Sequence, residues 1–197
     1  MKLTRNSSLE DLRKHFIQVC ENNDNRSTKT DNIFGELESL RKAKDDQEEF
    51  ESLEFMMLIK ASEQKLIARY EFMKANIARY SSIISVIEAS LTRTNTTSKF
   101  REMAQADLNH SKDMVNFHRQ IFDYTVLSQS NQVILHFAKE KGDQQLIQTL
   151  SNRIIFLVES INSIQNEIEK RSDVSKQKLM KNLNGMGKKT FFQSRFS

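Results

Sequence analysis

Between Leu66 and Leu91 apolar side chains recur at steps of four and three: Leu66, Tyr70, Met73, Ile77, Tyr80, Ile84, Ile87 and Leu91. This alternation keeps one face of an α-helix apolar through successive heptads, the pattern of a helix that packs along a partner helix, and makes these eight residues the candidate self-association seam. The helical pattern starts near Ile33 and meets no breaker before Leu91. Roughly sixty residues in one helix give a rod of about 90 Å. Upstream, Leu9, Leu12, Phe16, Val19 and Cys20 share one face of a short amphipathic helix over residues 8–20. Ser7 or Ser8 can cap it, with Glu10 and Asp11 in the first turn, where the positive end of the helix dipole favours acids. The polar run 22–27 then reads as a linker.

Residues 92–98 carry no large apolar side chain and predict the connection between two long helices. Phe100, Met103, His110, Met114, Phe117, Ile121 and Tyr124 continue the rhythm, with one polar interruption at Asp107. Val133, Ile134, Leu135, Phe137 and Ala138 close that helix, and Gly142 supplies its stop. A last helix from Asp143 turns Leu146, Leu150, Ile154, Leu157, Ile161, Ile164 and Ile168 inward. Its apolar face widens over 154–158, which predicts burial on more than one side. Beyond Ile168 the pattern thins to Val174, Leu179 and Leu183, and Gly185 and Gly187 are expected to end a helix shorter than the first long one. An unstructured basic and aromatic tail would follow.

No strand pattern competes with this reading. The predicted fold is all-α: a short amphipathic N-terminal helix plus three long antiparallel coiled-coil helices in an elongated bundle. The predicted segments are 1–27 (amphipathic helix and linker), 28–184 (three-helix coiled-coil domain) and 185–197 (tail).

Composition sharpens the picture. The 197 residues include no proline and only four glycines. At a usage of about 5% a chain of this length would carry roughly ten prolines, and proline breaks helix interiors. A hydrophobic content of 38% and a mean hydropathy of -0.60 suit narrow apolar seams better than a thick globular core. Cys20 is the sole cysteine, so neither an internal disulfide nor a thiolate zinc cluster can form, and a reducing cytoplasmic setting is the expectation. Neither a membrane span nor a secretory signal is expected, because the longest apolar runs fall far short of the roughly 20 residues a span requires.

Net charge is +4 but unevenly spread. Residues 36–63 hold nine acids against four bases, whereas residues 170–197 hold eight bases against Asp173 alone. The basic and aromatic residues Lys170, Arg171, Lys176, Lys178, Lys181, Lys188, Lys189, Phe191, Phe192 and Arg195 are therefore candidates for binding an anionic membrane surface. Stacking on single-stranded nucleic acid is a less favoured use of the same residues. The leading helix can either pack back onto its own domain or lie in a bilayer interface.

Enzymatic chemistry finds no footing. Asp107 and His110 have the spacing of a carboxylate and histidine pair in metal-binding bundles, but the second such motif is missing. His136 followed by Lys139 lacks the small residues of a phosphotransfer turn. Residues 185–190 have a glycine-rich flavour without the preceding strand of a phosphate loop. No catalytic residue, cofactor or metal site is predicted.

The leading amphipathic set (Leu9, Leu12, Phe16, Val19), the seam from Leu66 to Leu91, the connection at 92–98 and the helix from Asp143 together resemble the BAR-domain layout, in particular the membrane-bending half of sorting nexins. The resemblance implies an antiparallel homodimer whose lysines, Lys170, Arg171, Lys176, Lys178 and Lys181 among them, meet anionic lipid. The expected function is a non-enzymatic, self-associating helical scaffold with a peripheral role in membrane trafficking. The alternative is a coiled-coil subunit of a soluble cytoskeletal, secretion or viral assembly that binds partner helices through its apolar seams.

Overall fold

A computed structural model describes residues 3–23, 47–93 and 97–193, and the side chains within them except at 47–52 and 175–193. The described chain is an all-α helical bundle: α1 is Leu9–Asn22, α2 Gln47–Leu91, α3 Ser98–Lys141 and α4 Gln144–Gln193. The expected helical stretch 33–46, the linker 24–27 and Gly35 lie outside the described residues. Two compact units, 1–161 and 162–197, divide the chain, with the boundary inside α4.

The helix ends follow local chemistry. Ser8 caps α1 by accepting from the Asp11 amide, while the Asp11 carboxylate accepts from the Ser8 amide and hydroxyl. Those bonds hold the Asp11 carboxyl below its usual range. Thr97 accepts from the Phe100 amide at the start of α3. Gly142 ends α3 in the left-handed region at φ 69°, its amide bonding back to Ala138 and Lys139, a conformation that side chains with a Cβ resist. Asp143 then accepts from the Leu146 amide and opens α4.

Within unit 1–161, α2 and α3 run antiparallel. Phe55 faces Phe137 at 5.5 Å between ring centroids, Tyr70 faces Phe122 at 5.2 Å, and Glu88 pairs with Lys112 near the connection. α1 lies along the base of this hairpin, parallel to α2. Leu12, Phe16 and Cys20 are fully buried against Phe55, Ile59, Leu66, Phe122, Val126, Val133 and Phe137. Burying Leu12 and Phe16 contributes about 1.5–3 kcal/mol each relative to leaving them in water. α1 thus packs back onto its own domain through Leu12, Phe16 and Cys20, the first of the two uses expected for it.

Three sequence expectations need correcting. On α3, Phe100 and Met103 are exposed, as is Asp107, while Ala104, Leu108, Ser111, Val115, His118 and Phe122 form a buried row beside the expected one. Met114 and Ile121 are buried as well, so the helix carries two adjacent inner rows. The small residues Ala104 and Ser111 sit in the buried row, where the Ser111 hydroxyl is satisfied by donating to the Asp107 carbonyl.

On α4, Leu150 and Leu157 are buried, but Ile155, Phe156 and Val158 are exposed, so the wide apolar face over 154–158 is not buried on several sides. Finally, α4 continues through Gly185 and Gly187 to Gln193, making it the longest of the described helices rather than a short one, and residues 185–193 are helix rather than an unstructured tail. A glycine stops a helix where the chain turns left-handed, as at Gly142. A glycine that keeps helical dihedrals costs only about 1 kcal/mol relative to alanine.

Candidate interaction surfaces

The seam read from the sequence is the least exposed face of α2. Leu66 is fully buried, and Tyr70, Met73, Ile77, Tyr80, Ile84, Ile87 and Leu91 are each half-buried. It faces α3 within the chain at Tyr70 and Tyr80, whose rings lie on Phe122 and His118. The difference between Leu66 and the rest has a simple origin. At Leu66, α1 closes the third side of the core; beyond the end of α1 the pair of helices continues without it. Two helices alone cannot enclose an apolar row.

Near the connection four large apolar side chains are uncovered. Ile83 and Val86 on α2 and Phe100 and Met103 on α3 are all exposed, Val86 by 67% and Met103 by 59%. These four residues lie within about three turns of the 92–97 connection. Sequence periodicity missed Val86 and Ile83 because they fall outside the heptad row.

His118 is the one titratable side chain in the buried row of α3, at 7% exposure. Tyr80 stacks on it at 6.1 Å and the edge of Phe72 lies at 6.0 Å. Burial, helped by the Arg69 charge, lowers its pKa below the ordinary histidine value. Cys20 is the converse case: burial, then the Glu63 carboxylate, push its thiol up to about 11. It is a core side chain with no nucleophilic character at neutral pH.

At the base, Arg5 lies 3.7 Å from Glu54 and 3.5 Å from Glu140, with its guanidinium 4.8 Å from the centre of the Phe137 ring. His136 Nε2 reaches Glu54 at 3.2 Å and Glu140 at 3.5 Å. The donor atoms of Glu54, His136 and Glu140 lie within 4.8 Å of one another, a set whose chemistry suits a divalent cation. Arg5 already balances both carboxylates, so the group first acts as an ion-pair network tying the residues ahead of α1 to α2 and α3. The sequence gives no warning of it, since its members come from three separate segments.

In unit 162–197, Lys170 is exposed and Arg171 donates to Glu167 at 2.6 Å, holding the Glu167 carboxyl below its usual range. Lys176, Lys178, Lys181, Lys188, Lys189, Phe191 and Phe192 all lie on the continuous α4, whereas Arg195 lies outside the described residues. Helical register sorts most of these bases into two adjacent rows: positions 170, 181 and 188, and positions 171, 178 and 189. Spacings of eleven and seven residues are each close to a whole number of turns. Lys176 stands off both rows.

Among the described residues no helix is long and apolar enough to cross a membrane. Comparison with known protein families, with curated proteins and with solved structures finds no match to this chain.

Proposed function

We propose that this chain is a non-enzymatic helical scaffold that self-associates through the exposed apolar residues near the α2–α3 connection. The observation that carries the reading is the exposure of Ile83, Val86, Phe100 and Met103 beside a seam that stays half-buried from Tyr70 to Leu91. A second hairpin laid against the first would cover these residues and complete a four-helix cross-section, the usual way helix pairs bury their remaining apolar rows. The BAR-like layout accords with this arrangement and adds the antiparallel sense of the dimer. Small-angle scattering tests it. A forward-scattering mass twice the 23.0 kDa of the chain is expected, and the mass of a single chain up to high micromolar concentration would reject self-association.

A second observation favours peripheral attachment to an anionic membrane surface. The basic rows of α4 run from position 170 to position 189 along one helix, and each lysine or arginine near such a surface contributes about 1 kcal/mol. With the apolar face of α1 buried, attachment would be electrostatic and would weaken as salt rises. Pelleting with phosphatidylserine vesicles should fall when Lys170, Lys181 and Lys188 are replaced by glutamate. Unchanged pelleting would leave the soluble alternative, a coiled-coil subunit that binds partner helices through the same apolar residues.

A further inference from the structure

Glu54, two turns into α2, meets His136 and Glu140, which stand one turn apart at the C-terminal end of α3. Apolar packing fixes their positions. Phe55 and Phe137, the chain neighbours of Glu54 and His136, are both buried and face each other at 5.5 Å. The Phe137 and His136 rings lie nearly perpendicular at 5.1 Å. The three side chains therefore project from two packed helices rather than from loops, the kind of support a metal site needs.

The distances suit a shared ion. His136 Nε2 stands between two carboxylate oxygens, 3.2 Å from Glu54 Oε1 and 3.5 Å from Glu140 Oε1, whereas His15 and Glu63 close to 2.6 Å. Two ligands about 2.0–2.1 Å from a tetrahedral zinc ion are themselves about 3.3 Å apart, so both separations at His136 match edges of that polyhedron. All three donor atoms lie within 4.8 Å of one another, and the side chains are partly exposed, so an ion can enter and draw the two like-charged oxygens together.

Arg5 is arranged around this set and not within it. Its guanidinium approaches Glu54 Oε2 at 3.7 Å and Glu140 Oε2 at 3.5 Å. Each carboxylate thus gives one oxygen to Arg5 and turns the other toward His136 Nε2. Outer hydrogen-bonding groups orient metal-ligating carboxylates in this way. One imidazole nitrogen with two carboxylate oxygens suits Zn2+ better than Ca2+ or Mg2+, which take roughly six or more oxygen ligands.

We infer that Glu54 Oε1, His136 Nε2 and Glu140 Oε1 bind one zinc ion per chain, with a water in the fourth position. His136 coordinates through Nε2 and keeps its ring proton on Nδ1. The ion joins α2 to the end of α3 and reinforces the base of the bundle, where Arg5 ties in the residues ahead of α1. The inference is independent of self-association, because the ligands lie at the end of the hairpin away from the α2–α3 connection.

Equilibrium dialysis of the chelator-treated full chain against Zn2+ and against Co2+ tests it. One ion should load per chain, Co2+ should show the intense visible bands of four-coordination, and Zn2+ should raise Tm until chelator is added. Glu54→Gln and His136→Ala should each weaken binding at least about tenfold and remove the rise in Tm, while their metal-free helical content by circular dichroism matches the wild type. Glu140→Gln supplies the same test if either variant fails to fold. His15→Gln, which removes the other histidine–carboxylate pair, should bind as the wild type does. No zinc bound at about 100 µM, half an ion per chain, a six-coordinate Co2+ spectrum, undiminished binding by the ligand variants, or loss of binding in His15→Gln would each overturn the inference.

Discussion

His15 on α1 and Glu63 on α2 meet with 2.6 Å between Nε2 and Oε1, both largely shielded from solvent. Arg5 and His15 meet Glu54 and Glu63 in the same order along the chain, so polar contacts set the parallel alignment of α1 on α2 while Leu12, Phe16 and Cys20 fill the core beneath. The first helix is thereby a part of the bundle and not a free amphipathic segment. That distinction takes Leu12, Phe16 and Cys20 out of the exposed surface.

Phe16 carries the docking of α1, being 0% exposed and packed among residues of α2 and α3. Phe16→Ala should destabilise the chain by about 3–5 kcal/mol, the usual cost of removing a buried phenyl ring. Urea unfolding followed by circular dichroism measures it. A loss below about 1 kcal/mol would mean that α1 is not held in the core.

Cys20 reports the same docking without a mutation. A buried thiol with a pKa of about 11 should react with a thiol-specific disulfide reagent at neutral pH only when α1 lifts away, because the thiolate is the reactive form. Labelling is expected to be slow in the native protein and to accelerate with urea below the global transition. Rapid stoichiometric labelling in water would contradict the docked position.

His118 gives a pH dependence whose sign follows from its lowered pKa. The neutral ring is favoured in the folded chain, so below about pH 6.5, the ordinary histidine value, the unfolded chain binds more protons. Stability from this residue is therefore complete above that pH and is lost as the pH falls through it toward the folded pKa. The urea midpoint of the wild type relative to His118→Phe should decline between pH 7.5 and pH 5. A pH-independent difference between the two proteins would refute the role given to this histidine.

Much of the fold was legible because helix boundaries are local. Ser8, Asp143 and Gly142 announce themselves by capping chemistry, and the seam from Leu66 to Leu91 by its period. Choosing the inner row of α3 was not local. Phe100 and Met103 fit the period as well as Ala104 and Ser111 do, and the choice rests on how closely α2 approaches, which no single helix encodes. Gly185 and Gly187 misled for the same reason, since glycine permits a left-handed turn without requiring one. The Arg5 network depends on segments far apart in sequence, so the residue types alone carried no signal for it.

Sedimentation equilibrium of the wild type beside Val86→Glu/Met103→Glu decides whether the chain self-associates through the end of the hairpin. Both side chains are exposed within the single chain, so the substitutions should leave helical content and Tm nearly unchanged. A wild-type dimer and a monomeric variant are expected, with the dissociation constant raised at least about a hundredfold, since placing charge in an apolar contact costs several kcal/mol. A variant that remains dimeric, or a wild type that is monomeric throughout, would contradict it.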